Sequence, residues 1–297
     1  MTISKQKTHV RSLIKLALEE DAVNDDITTQ ILIPPRLQAK ASITAKEELV
    51  IAGLDVAKHV FAQVDPSLKF KAAQKDGNVM KAGTICCTIS GNARSLLKAE
   101  RVALNFLQHL SGIATLTRQF CLAVKTSSTK ILDTRKTTPG LRFLQKQAVL
   151  FGGGHNHRQS LKDGILIKDN HLALLKSQKI TLDQACHLAK TQAPSRLKVC
   201  VETETLAQVK AAIGGKADII LLDNMPPHIL HRAIQLIDGN ALTEISGGIT
   251  LKNVQRMANV GADFISIGAL THSARSMDLS LSLAPISQSH PRRNRNG

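Results

Sequence analysis

The 297-residue chain has no Trp and no Tyr, and seven Phe are its entire aromatic complement. That scarcity excludes mechanisms in which rings stack on bases, among them most single-strand nucleic-acid platforms. Acidic residues are also few: 23 Asp plus Glu stand against 39 Lys plus Arg, a net charge of +16. No apolar run reaches the ~18 residues that would span a bilayer. Met1 to Asp21 combines basic residues with an apolar stretch, but Lys15 interrupts it and no small-residue cleavage site follows, so it reads as an amphipathic helix. Five cysteines, an odd number with no Cys-x-x-Cys pair, predict a reduced, cytoplasmic protein without a structural zinc site.

With 43% hydrophobic and 21% charged residues, the composition is that of a globule with one large or two ordinary domains. The positive charge suits nucleic acid, an anionic membrane or a polyanionic small substrate. Part of it sits in a C-terminal tail, 291–297, which holds three Arg and is expected to be disordered and solvating.

Residues 8–20 place Val10, Leu13, Ile14, Ala17 and Leu18 on one helical face, and Pro34-Pro35 ends that region. Strands are clearest at Ala39–Ala45 and Val79–Ile89, and 94–124 reads as a helix burying Leu96, Leu97, Val102, Leu104, Leu107 and Leu110. After about 128 a beat sets in, with short apolar strands ending in polar residues or glycine. The ends fall at Asp133, Lys168, Glu202, Asp223, Ser246 and Gly268, and the last three intervals have the length of a compact βα unit. An open doubly wound sheet would gather such ends at one switch point. Six of them, spread over six strands, predict a parallel barrel whose loops converge on one mouth.

Asp133-Thr-Arg-Lys-Thr-Thr-Pro-Gly140 is the densest motif. Arg135, Lys136 and nearby backbone N–H groups suit a carboxylate or phosphate, and Pro139 is placed for the first turn of a helix behind Thr138. Phe151-Gly-Gly-Gly-His-Asn-His-Arg158 reads as a flexible loop. Its two His lack a neighbouring Cys or carboxylate to complete a metal site, and Arg158 reads as a second carboxylate clamp. Lys168, pointing into a barrel, calls for an anionic ligand. Glu202 and Asp223 end adjacent strands, where two carboxylates serve either acid–base catalysis or a ribose and Mg²⁺; the surrounding cations favour the second role. Ser246-Gly247-Gly248 and Gly268-Ala269 allow backbone to approach a phosphate.

In this order the motifs resemble the quinolinate phosphoribosyltransferase family. The resemblance is carried by 133–142, 152–158, 166–171, 222–225, 246–249 and 268–273, with Glu100-Arg101, Leu104-Asn105, Ser111–Thr115 and Asp26–Thr29 upstream. It implies transfer of phosphoribosyl from phosphoribosyl pyrophosphate to quinolinate with decarboxylation, giving nicotinate mononucleotide for NAD synthesis. The implied fold is an incomplete seven-stranded α/β barrel over 116–273, with an N-terminal α+β open-sandwich domain over 1–115 to which 274–290 returns. Arg101, Thr134, Arg135, Lys136, His157, Arg158 and Lys168 are then expected around quinolinate. Glu202 and Asp223 would serve the ribose and Mg²⁺, and Ser246, Gly247, Gly248, Gly268 and Ala269 the 5-phosphate. Lys136, Glu202 and Asp223 would be catalytic. Arg101 lies before the barrel, so a homodimer, alone or built into a hexamer, is expected to supply it across the interface. Polyanionic substrates account for the charge, and neither nucleic acid nor a membrane is expected as partner. Two departures stand out: Cys200-Val-Glu-Thr-Glu204 has Cys where the family usually has Glu, and no glycine precedes Asp26.

Overall fold

The computed structural model describes residues 3–286. Two compact units emerge, one running to Gly112 and resuming at Ser276, the other spanning Ile113–Arg275. In chain order the first contains α1 (Ile3–Glu20), α2 (Ile27–Leu32), β1 (Gln38–Ala45), β2 (Leu49–Val50), α3 (Leu54–Val64), β3 (Lys69–Ala72), β4 (Val79–Met80) and β5 (Ile85–Asn92). Helix α4 (Ala93–Ala123) runs through the division.

The first unit is built on an antiparallel sheet in which the last strand of the chain, Leu279–Pro285, pairs with β1, β1 with β5, and β5 with β3. Alternation along β1 buries Ala39, Ala41, Ile43 and Ala45, and α1 buries Ile14 and Leu18 of its predicted face. The strand expected over Val79–Ile89 is instead two strands in two sheets: β4 pairs with β2, and β5 joins the main sheet. Gly83, at φ +84°, makes the break, with its N–H donated to the Ala45 carbonyl. The expected return of 274–290 and the tail at 291–297 lie partly and wholly outside the described residues.

The second unit contains β6 (Lys130–Leu132), α5 (Arg142–Phe151), β7 (Ile165–Ile167), α6 (Asp169–Ser177), α7 (Leu182–Gln192), β8 (Val199–Thr203), α8 (Leu206–Gly214), β9 (Ile219–Asp223), α9 (Pro227–Ile237), β10 (Leu242–Ser246), α10 (Val254–Ala258), β11 (Phe264–Ser266) and α11 (Ala269–His272). All six strands are parallel, in the order β6-β11-β10-β9-β8-β7, and each begins within two residues of the apolar runs read from the sequence. Among the described residues the seventh stave is a single bridge, His155 beside Leu132, and the barrel stays open between this bridge and β7. Aspartates tie the strand starts together. Asp218 accepts from Val199 N–H at 2.7 Å and Asp263 from Thr243 N–H at 2.8 Å. No helix among the described residues is long and apolar enough to cross a membrane.

Candidate active site

Parallel strands present their C-terminal ends to one mouth, and the side chains there follow from the two-residue period of each strand. On β8 and β9 that period turns Glu202 and Asp223 inward, one layer above Cys200 and Leu221. A cavity of about 380 Å³ opens at this mouth, within the range of small-molecule sites. Its wall includes Thr134, Arg135, Lys136, His157, Arg158, Lys168, Glu202, Asp223 and Ser246. Nine of the expected residues are thus brought together from β6, β7, β8, β9, β10 and the loop before β7.

Beneath them lies an ion pair that the sequence reading missed. Lys146, on α5, is 1% exposed and bonds Asp133, which is 0% exposed. Burial pushes the Asp133 carboxyl up against the opposing pull of Lys146 and the His157 N–H, and burial holds the Lys146 ammonium down despite Asp133. The pair also fixes the loop above it. Lys146 Nζ donates to the His157 carbonyl at 2.9 Å, His157 N–H donates to Asp133 at 2.9 Å, and the Asn156 amide, oriented to satisfy its partners, donates to Asp133 Oδ2 at 2.6 Å. The available signal was helical periodicity: Lys146 falls three residues before Val149, as Gln145 falls three before Ala148, all of them buried positions of α5.

The glycine run at 152–154 is closely packed, hydrogen-bonded backbone. A Cβ on Gly152 would collide with the Ala114 carbonyl and the Thr117 side chain, so the glycine lets the chain pass close under α4. Pro139 likewise does not open a helix. Gly140, at φ +80°, turns the chain first, Leu141 N–H closes that turn on the Thr138 carbonyl, and α5 starts at Arg142. Thr138 serves instead as a partner of Gln145, donating its N–H and accepting from the amide, both at 3.0 Å.

Positive charge is concentrated and under-compensated. Burial, then the neighbouring Arg135, holds the Arg158 guanidinium below its usual range, with Cys200 and Glu202 acting against them. Arg158 donates one N–H to the Gly164 carbonyl at 2.9 Å, but its Nε and that of Arg135 are buried without hydrogen-bond partners. Lys168 differs from its expectation. It is 44% exposed, and the anion meeting it is Glu202, at 3.0 Å, across the short distance between adjacent strand ends.

Gly247, Gly248, Gly268 and Ala269 stand at the ends of β10 and β11, outside the cavity wall. Gly247, at φ +90°, leaves no room for a Cβ beside the Asn224 side chain. Arg101 is exposed on α4 in the first unit and is not part of the wall. Among the described residues no three His, Cys, Asp or Glu side chains converge as a metal cage.

The model for the quinolinate phosphoribosyl transferase C-terminal domain matches residues 113–282, and that for the N-terminal domain matches 26–111. The chain is 40% identical over 280 residues to a probable nicotinate-nucleotide pyrophosphorylase [carboxylating] of Bacillus subtilis, covering 94% of this chain and 95% of that one. It is 41% identical to the chloroplastic nicotinate-nucleotide pyrophosphorylase [carboxylating] of Arabidopsis thaliana, covering 92% and 82%. Among solved structures, NadC from Streptococcus pyogenes superposes with a TM-score of 0.89 at 41% identity, over 97% of this chain and 99% of that one.

Proposed function

The chain belongs to the quinolinate phosphoribosyl transferase family, and from that premise we propose that it transfers phosphoribosyl from phosphoribosyl pyrophosphate to quinolinate with decarboxylation, yielding nicotinate mononucleotide, pyrophosphate and CO₂ for NAD synthesis. One observation carries the assignment of the site: the partnerless, buried Nε groups of Arg135 and Arg158 in the wall of one cavity. Such donors are costly to leave unmet, and a dicarboxylate supplies the missing acceptors and charge together.

In this reading Thr134, Arg135, Lys136, His157, Arg158 and Lys168 hold the two carboxylates of quinolinate. The pyridine nitrogen has a free lone pair and no proton to lose, so its attack on ribose needs no general base. Glu202 and Asp223 face the positive charge that develops at the ribose as pyrophosphate leaves, and Lys136 meets the departing anion. Ser246 with Gly247, Gly248, Gly268 and Ala269 receives the 5-phosphate. Glu202 and Asp223, two carboxylates at one mouth, would hold Mg²⁺. Bound there, Mg²⁺ would neutralise charge on the leaving pyrophosphate. The ring nitrogen, once alkylated, is positive and stabilises the carbanion left by CO₂. A partner subunit contributes Arg101 in a homodimer, and five free cysteines fit a reducing cytoplasm.

Release of pyrophosphate and CO₂ from quinolinate plus phosphoribosyl pyrophosphate, with Mg²⁺ present, tests the reading. Absence of turnover refutes it.

A further inference from the structure

Glu244, on β10, is an acid in the barrel unit for which the reading above has no task. Its side chain is 1% exposed, yet it belongs to the wall of the 380 Å³ cavity and also to that of a second cavity of about 320 Å³. The second cavity opens among the starts of the strands, beside Lys130, Ile165, Lys198 and Phe264. His157, Arg158 and Glu244 are common to both walls. Glu244 Oε2 stands 3.5 Å from His157 Nε2, while Oε1 is buried with no hydrogen-bond partner. His157 Nδ1 accepts the Arg158 N–H at 2.7 Å, which leaves the ring proton on Nε2, facing Glu244. Cys200, on β8, lies in the electrostatic reach of Glu244, and the walls that Glu244 shares also hold Arg135, Arg158, Lys168, Glu202 and Asp223.

Decarboxylation requires a proton at the ring carbon that loses CO₂. The guanidinium groups of Arg135 and Arg158 do not give up protons. Lys168 is engaged by Glu202, Lys136 is exposed to solvent, and the Nε2–H of His157 faces Glu244. Taking quinolinate in the first cavity as given, we propose that Glu244 is the general acid of the decarboxylation step. The bond from ring carbon to CO₂ breaks and leaves its electron pair on carbon. That pair takes the proton from Glu244 Oε1, forming the C–H bond, and the O–H electrons remain on the carboxylate. The carboxylate so formed faces the Nε2–H of His157. The second cavity returns a proton from solvent while the phosphoribosyl group fills the mouth.

Glu244→Gln tests this, because the amide keeps the shape and an acceptor for His157 but has no acidic proton. Calorimetry should give quinolinate binding like that of the parent. In a single turnover with phosphoribosyl pyrophosphate and Mg²⁺, pyrophosphate should appear stoichiometrically at the parent rate. Nicotinate mononucleotide should form ~100-fold more slowly or worse, the scale of a lost general acid. The undecarboxylated nucleotide should accumulate in acid-quenched samples, since an unprotonated carbanion recaptures CO₂. Product at the parent rate overturns the proposal, as does loss of quinolinate binding or of the pyrophosphate burst. If Glu244→Gln fails to fold, Glu244→Asp carries the test: a set-back acid should slow product formation and spare pyrophosphate release, and equal effects on both overturn it. Failure of the unaltered enzyme to release pyrophosphate from quinolinate would instead refute the substrate assignment, so the two failures are distinct.

Discussion

Lys146 and Asp133 pair inside the barrel unit, 13 residues apart in sequence, and between them they bind the backbone or side chains of Asn156 and His157. The cations that line the cavity therefore rest on a buried charge pair, not on a solvated turn. Arg142 and Arg135 add to the positive field around Lys146, so Asp133 is its local counterweight.

Breaking this pair should cost stability before it costs chemistry. Removing one partner of a buried ion pair typically costs about 3–5 kcal/mol, because the other charge is stranded. Lys146→Met should lower the urea midpoint accordingly, and the double variant with Asp133→Asn should recover part of the loss. Equal midpoints for Lys146→Met and the parent would contradict the role assigned to the pair.

Arg158 and Lys136 should differ in their hold on quinolinate. Arg158 Nε is buried, so Arg158→Ala should weaken binding by about 2–5 kcal/mol, whereas exposed Lys136 should contribute nearer 1 kcal/mol to binding. Calorimetric titration of quinolinate ranks them, and a larger effect at Lys136 would reverse the placement.

Glu202→Ala and Asp223→Ala should impair turnover and its dependence on Mg²⁺ while quinolinate binding survives. Glu202→Ala also frees Lys168 from its 3.0 Å partner. Quinolinate affinity should then rise in that variant alone, since substrate no longer displaces a carboxylate. Mg²⁺ titrations that overlay on the parent would argue against both residues.

Asp218 gives the acid limb of stability a definite sign. Burial pulls its carboxyl up, but bonds from Lys190 at 2.8 Å and Val199 N–H at 2.7 Å, with the charges of Lys190 and Lys198, outweigh this and hold it below the usual range. Its contribution is therefore fully present above the unfolded carboxyl pKa of about 3.9 and disappears as pH falls through the lower folded value. Asp218→Asn should lose about 1.5 kcal/mol at neutral pH, and the gap to the parent should close on acidification below about pH 4. Melting temperatures measured from pH 7 to pH 2 provide the check, and a constant gap would rule out Asp218 as its source.

Arg101 belongs to the first unit and Lys136 to the second, which allows a mixing experiment. Arg101→Ala and Lys136→Ala should each be nearly inactive alone. If Arg101 acts across a dimer, subunit exchange creates one site with both residues intact, and activity returns. Persistent inactivity would assign Arg101 to its own chain, and full activity of Arg101→Ala would leave it a solvated surface residue.

Much of the site is legible because chain order and strand period dictate it. Six apolar runs ending in Asp133, Lys168, Glu202, Asp223, Ser246 and Gly268 predict parallel strands, and parallel strands bring all six ends to one mouth. What only the tertiary structure decided depends on contacts between distant residues. The loop before β7 set His157 against Glu244 of β10, α5 carried Lys146 under Asp133, and the passage beneath α4 required a glycine at 152. Lys168 shows the limit most directly. Its position at a strand end follows from the sequence, but whether it meets a ligand or Glu202 depends on the neighbouring strand, whose register no local pattern specifies.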